Sequence, residues 1–302
     1  MNYMKIAVIL TCFNRKKQTI SCLGQLYSSV KKYNNTSKED IELSVFLTDD
    51  GCTDGTSDAI RENFADRDIT ILKGNGNLFW AGGMRLAWNA ALSKRSDWDF
   101  YLLLNDDTDL LDCTWDELMH AHQYSLATYG KGGVYSGITS AKSDHNKMTY
   151  GGDILVNRLL AKSQRLKPTG IPQKCDMTNA NILLVSNEVV KKIGIFSEAY
   201  THGIADYDYS IRANKNGFPV LVTGIFCGRC ENDHKPQDDV EKAIKAMSLK
   251  ERKAYFRHPL HSNSDYLAFI KANAPVRYPI VWFGRFLNTY FPKLYYSISK
   301  NR

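Results

Sequence analysis

No window of the 302-residue sequence approaches the roughly 20 consecutive apolar residues that a membrane-crossing helix needs. A signal-peptide core is missing as well, because the apolar stretch near the N-terminus, Ile6–Leu10, is short and stops at Thr11. Cysteines are few in useful arrangements: the seven are scattered, and only Cys227 and Cys230 stand in C-x-x-C spacing. Without a second such pair the spacing does not supply the ligands of a zinc site, and reduced, structural thiols suit a cytoplasmic protein. Internal repeats and low-complexity tracts are also lacking, which excludes solenoids and disordered linkers.

What is present is enough apolar material, 43% of residues, for one sizeable α/β domain with an appendage. The net charge of +7 is uneven. Residues 248–302 hold ten Lys and Arg against only Glu251 and Asp265, so the excess lies in the tail.

Apolar runs at Ile6–Leu10, Leu43–Leu47, Ile69–Leu72 and Tyr101–Leu104 alternate with helical patterns, the sign of a mainly parallel sheet flanked by helices. The spacing predicts helices over about Gln18–Lys31, Thr56–Phe64 and Gly83–Leu92. From Gly130 to Pro172 the chain is rich in Gly, Ser and Lys and reads as loops and small β elements. A buried segment at Ile182–Val185, helices at Asn187–Ile193 and Asp206–Asn216, and a last strand at Val220–Phe226 follow. Beyond Pro236 the chain becomes a basic, aromatic helical extension, so the expected division is 1–235 (halves 1–130 and 131–235) and 236–302.

In open parallel sheets ligands bind beyond the carboxyl ends of the strands. Here those ends carry "TCFNRKK", "TDDGCTDGT", "GNGNLFWAGG" and "NDDTD". Asp54 reads as turn and cap chemistry, while Asp49 and Asp50 end a strand and are ligand candidates. Asp106 and Asp107 repel unless something positive sits between them; capping needs one acceptor, whereas a hard divalent cation takes one or two carboxylates plus phosphate oxygens. The glycine-rich loop is not a dinucleotide fingerprint, since Phe79 stands where the third glycine belongs and the loop follows the third strand. Asp206 and Asp208 open a helix, where acids are favoured by the dipole and where an anchored carboxylate also suits a general base.

Taken in order, these loops resemble the family 2 glycosyltransferases, which have the GT-A fold. "VILTCFNR", "TDDGCTDGT", "LLLNDDT" and "ADYDYSIRANKNGF" are similar to that family's successive motifs over about Lys5 to Phe226, with Ala205 where a Glu commonly stands. "GNGNLFWAGGMRLAWN" is closest to a rhamnosyltransferase-like branch. The resemblance implies that Thr11, Phe13, Asn14 and Arg15 line a nucleotide pocket with Asp49 or Asp50 on base or ribose. It implies that Gly76, Asn77, Trp80 and Gly82 approach the donor sugar and diphosphate, beside Asn105 and Asp106. Asp107 would ligate Mn²⁺ or Mg²⁺, with His234 either a second ligand or a surface residue. Asp206 would be the catalytic base, with Asp208, two residues away, the other candidate for that role or an acceptor residue, and Thr178, Asn179 and Asn181 would line the acceptor side.

The activity so implied is inverting, metal-dependent transfer of a sugar from dTDP-rhamnose or a UDP-hexose to a glycan or lipid-linked acceptor. The contrasting reading is a non-catalytic nucleotide-sugar or nucleic-acid binding module on the same fold. Twelve of the last 55 residues are Phe, Tyr or Trp interleaved with cations. That pattern fits an anionic membrane surface at the inner face or a helical extension packed on the main domain, and less well a nucleic acid.

Overall fold

The computed structural model describes residues 3–157, 162–232, 236–261 and 263–299. The first half alternates strand and helix: β1 (Tyr3–Cys12), α1 (Lys16–Asn34), β2 (Asp40–Asp49), α2 (Thr56–Asn63), β3 (Ile69–Lys73), α3 (Phe79–Lys94) and β4 (Phe100–Leu104). Then come β5 (Asp109–Leu110), α4 (Thr114–Tyr129), β6 (Val134–Ser140), β7 (Met148–Tyr150), β8 (Gly152–Asn157), β9 (Lys162–Arg165), β10 (Gln173–Lys174) and β11 (Met177–Thr178). The second half of the sheet is completed by β12 (Ile182–Ser186), α5 (Asn187–Ile193), α6 (Ala205–Lys215) and β13 (Val220–Arg229). Helices α7 (Gln237–Ala246), α8 (Leu249–Arg257), α9 (Asn263–Asn273), α10 (Tyr278–Tyr290) and α11 (Pro292–Ser299) form the C-terminal segment.

The main sheet runs β10-β13-β6-β12-β4-β1-β2-β3, with β5 and β7 attached to β13 and β6. Strands β4, β1, β2 and β3 are mutually parallel, and so are β6 and β13. β12 lies between β4 and β6 and runs antiparallel to both. Its first residues therefore meet the carboxyl end of β4, where ligands of an open sheet collect.

β1 shows why the sheet is buried on both faces. Ala7 and Ile9 point into the core under α3, α5 and α6, while Ile6, Val8 and Leu10 point to the side of α1 and α4. A continuous apolar run thus serves two helical layers. Gly83 lets α3 lie close on β1, since a Cβ there would fall 2.1 Å from Thr11 Oγ1.

The small β elements expected over Gly130–Pro172 include β6, a fully buried central strand although "VYSGITS" looks polar. Its hydroxyls are satisfied internally: Thr139 pairs with Thr149 at 2.9 Å and Ser136 donates to Asn179 O at 3.2 Å. One expectation is corrected: α3 begins at Phe79, four residues before the expected start. Asp50, at the end of β2, accepts from the backbone N–H of Gly76, Leu78 and Phe79 at 2.9–3.0 Å and so caps α3 from a distant loop.

Candidate active site

Beyond the carboxyl ends of β1 and β4 lies a cleft of about 530 Å³. One wall carries Arg15, Trp80, Asn105, Asp106 and Asp107; the other carries Tyr150, Asn179, Asn181, His202 and the turn Gly203–Tyr207. The antiparallel insertion of β12 brings the walls together, and Asn105 N donates to Asn181 O at 3.1 Å across the join. Asn14, Phe79 and Ile204, the non-glycine residues with positive φ among the described residues, all lie at these strand and helix ends. For the β-branched Ile204, at φ +67°, that backbone is strained, and it leads directly into Asp206.

The acid pair is held by a cation of the chain itself. Arg15 Nη1 lies 2.5 Å from Asp107 Oδ2 and 3.3 Å from Asp106 Oδ1. Asp106 is buried and also accepts from Thr19 Oγ1 at 3.2 Å. Burial pushes its carboxyl up to about 7, Arg15 works against that rise, and the neighbouring charge of Asp107 adds to it. Asp107 is more open, with a side chain 25% exposed, and Cys230 Sγ approaches its other oxygen at 3.6 Å. Trp80 Nε1 donates to Asn105 Oδ1 at 2.8 Å, which orients that amide at the cleft wall.

Among the described residues no group of three or more His, Cys, Asp or Glu is clustered to cage a metal ion. The donor set at Asp106–Asp107 nonetheless fits Mg²⁺ or Mn²⁺, which bind through one or two carboxylates and complete their shell with phosphate oxygens and water. His234 lies outside the described residues.

Opposite, Asp206 sits in the first turn of α6. Its Oδ2 accepts from Ala180 N at 3.1 Å and its Oδ1 from Tyr207 N at 2.9 Å, so both oxygens are fixed by backbone. Burial raises its carboxyl to about 6, and the two backbone donors restrain that rise. Asn179 Nδ2 donates to the Tyr207 hydroxyl at 3.3 Å, linking the next side chain to the same wall.

The cleft gathers Arg15, Trp80, Asn105, Asp106, Asp107, Asn179, Asn181 and Asp206. The other expected ligands lie outside this lining. Asp50 has both carboxylate oxygens engaged by the α3 loop and so positions that loop. Asp49 accepts from Cys52 N and Ser57 Oγ, and Asn14 Oδ1 accepts from Thr53 N at 2.8 Å, joining two loops. Thr11 packs under Gly83, Phe13 is exposed, Gly76 and Asn77 form the turn into α3, and Gly82 is buried in its first turn. Gly76 adopts φ +82° there, a conformation that favours glycine.

Asp208 is a correction: it is buried, paired with Arg212 at 2.8 Å and with Asn273 at 3.0 Å, and it ties α6 to α9 instead of reaching an acceptor. Thr178 is likewise buried against Ser210 and Gly151. Tyr150, His202 and Tyr207 line the cleft without having stood out in sequence. Tyr207 reads as a core residue of α6, and only its adjacency to Asp206 hinted otherwise.

No curated protein matches the chain. Among solved structures, the crystal structure of S. aureus TarS 1-349 in complex with UDP-GlcNAc superposes with TM-score 0.51 at 12% identity, covering 89% of this chain and 71% of that one. A second S. aureus TarS structure gives TM-score 0.48 at 14% identity, over 89% and 43% of the respective chains. At such identity the TarS 1-349 likeness is one of fold. The family model for Glycosyl transferase family 2 matches residues 7–181, more than half of the sequence and every strand from β1 to β4, and the chain belongs to that family of glycosyltransferases.

Proposed function

We propose that this glycosyltransferase moves a sugar from a nucleoside diphosphate sugar, dTDP-rhamnose or a UDP-hexose, to a hydroxyl of a glycan or lipid-linked acceptor in surface-polysaccharide synthesis. The transfer inverts the anomeric carbon and uses Mn²⁺ or Mg²⁺. The observation that carries this reading is the single cleft with an acid pair and Arg15 on one wall and the fixed Asp206 carboxylate on the other. The UDP-GlcNAc bound to TarS 1-349 supports the donor class.

On this reading the diphosphate lies toward Arg15, whose guanidinium meets its negative charge. Asp107, with Asp106 beside it, would hold the divalent ion, which when bound offsets the charge that grows on the departing diphosphate. Asp206 takes the proton of the acceptor hydroxyl while its oxygen bonds to the anomeric carbon and the carbon–diphosphate bond breaks. A carboxyl lifted to about 6 is still ionised at neutral pH yet more basic than an ordinary aspartate, which suits a general base. The amides of Asn179 and Asn181, with the Tyr150 and Tyr207 rings, offer an acceptor sugar hydrogen bonds and flat apolar faces.

A panel of UDP-, dTDP- and GDP-sugars, read by thermal shift with and without Mn²⁺ and then by nucleoside diphosphate release, tests this. Concentration-dependent stabilisation by one donor class that requires the cation is expected, with turnover lost in Asp206→Asn. A product that retains the donor's anomeric configuration, or an Asp206→Asn variant with full turnover, overturns it.

A further inference from the structure

Helix α10 leaves most of its aromatic residues outside. In α10 the buried side chain is Asn288, 5% exposed, while Trp282, Phe283 and Phe286 face outward at 49%, 54% and 37%. These outer residues recur at helical spacing with Ile280 and Tyr290, and they pack on one another: Trp282 stacks on Phe286 at 5.9 Å and Phe286 on Tyr290 at 4.7 Å. Phe291, Leu294 and Ile298 continue the exposed apolar surface into α11. The opposite side is seated: Tyr278 and Val281 pack on the main core, and Arg285 lies 4.5 Å over the Tyr266 ring. The tail thus packs on the body with one side and presents an aromatic ridge with the other.

Charge says what covers the ridge. From Tyr266 to Ser299 the sequence has no Asp or Glu, while Lys271, Arg277 and Lys293 make the segment cationic and Arg285 lies on the seated side. A second copy docking here about a two-fold axis would press this cationic patch against itself. Stacked bases would leave the aliphatic part of the surface, Ile280, Leu294 and Ile298, without a partner. No helix among the described residues is long and apolar enough to cross a membrane.

We propose that the α10–α11 ridge docks on an anionic lipid bilayer, its aromatic rings entering the interface and its cations meeting the headgroups. The docked unit is joined rigidly to the cleft, because Asp265 of α9 accepts from the backbone N–H of Thr201 at 2.9 Å and of His202 at 3.0 Å. The bilayer therefore sets the attitude of the acceptor wall. This docking does not depend on which sugar or acceptor the cleft takes.

The full chain is sedimented with vesicles of phosphatidylcholine alone and of phosphatidylcholine mixed with phosphatidylglycerol. Recovery is expected only with the anionic vesicles and is expected to fall with salt. Arg277→Glu with Lys293→Glu, and separately Phe283→Ser with Phe286→Ser, each weaken binding at least about tenfold. Because Trp88, Trp98 and Trp115 are fully buried and Trp80 lines the cleft, the part of the quenching by brominated anionic lipid that is lost in Trp282→Phe reads insertion of the ridge. The proposal is overturned by equal recovery with neutral vesicles or by undiminished binding of both folded double variants. It is also overturned by a wild-type dimer that the Phe variant dissolves, or by single-stranded oligonucleotide binding where anionic vesicles do not bind.

Discussion

Replacing Asp206 with asparagine separates two consequences of holding a carboxylate inside the cleft wall. In the unfolded chain this group titrates near 3.8, and in the fold burial lifts it to about 6. Below about pH 4 both states are protonated and the group leaves stability untouched. Between those values the unfolded chain loses its proton while the folded chain keeps it, so stability falls as pH rises and levels off above about pH 6. At ~1.4 kcal/mol per pH unit, that interval amounts to ~3 kcal/mol. Asp206→Asn removes this dependence. It also leaves one of the two backbone donors, Ala180 N or Tyr207 N, facing an amide NH₂, at a cost of ~1–3 kcal/mol that does not change with pH. Urea unfolding of both proteins at steps from about pH 4 to pH 7, with unchanged m-values, should show the difference moving in the variant's favour by ~3 kcal/mol across the range. The same carboxyl sets the kinetics: kcat/KM of the unaltered enzyme should rise with pH through about 6, and the variant should lose turnover at every pH. A stability difference that stays flat with pH would refute the burial argument. Retained turnover would refute the role as base.

The other expectations concern the frame of the cleft. Arg15→Ala leaves buried Asp106 beside Asp107 with no cation of the chain between them; about 1–2 kcal/mol of stability should go, given Arg15's partial exposure. Mn²⁺ should restore part of that in a thermal melt, and a melt unaffected by the substitution would contradict the geometry. Asp50→Ala removes the acceptor of three backbone N–H groups. It should cost about 3 kcal/mol and speed hydrogen exchange at Leu78 and Phe79, while unchanged exchange there would show that α3 is capped otherwise. Gly83→Ala drives a methyl against Thr11 and should cost about 1–3 kcal/mol in urea unfolding, with a neutral result indicating that α3 does not lie close on β1.

Patterns of short period were readable in the chain. The apolar runs of β1 to β4, the helices between them and the acid pair at the end of β4 follow from burial on two faces and from charge repulsion. Features that depend on distant partners were hidden. The central place of β6 was hidden because its Ser and Thr find their partners in distant segments, Thr149 of β7 and Asn179. The hold of Asp50 on α3 was hidden because the helix it caps is supplied from beyond β3. Asp208 looked equivalent to Asp206 until Arg212 and Asn273 were seen to surround it.

The sequence by itself determined the alternation of strands and helices, the family and the carboxylates on which the chemistry rests, because each is local or ordered along the chain. Only the tertiary structure decided how they meet. β12 enters the sheet backwards between β4 and β6, which carries Asn179, Asn181 and Asp206 across to Asp106, Asp107 and Arg15. Strand direction is set by the packing of the whole sheet, and no residue within β12 encodes it.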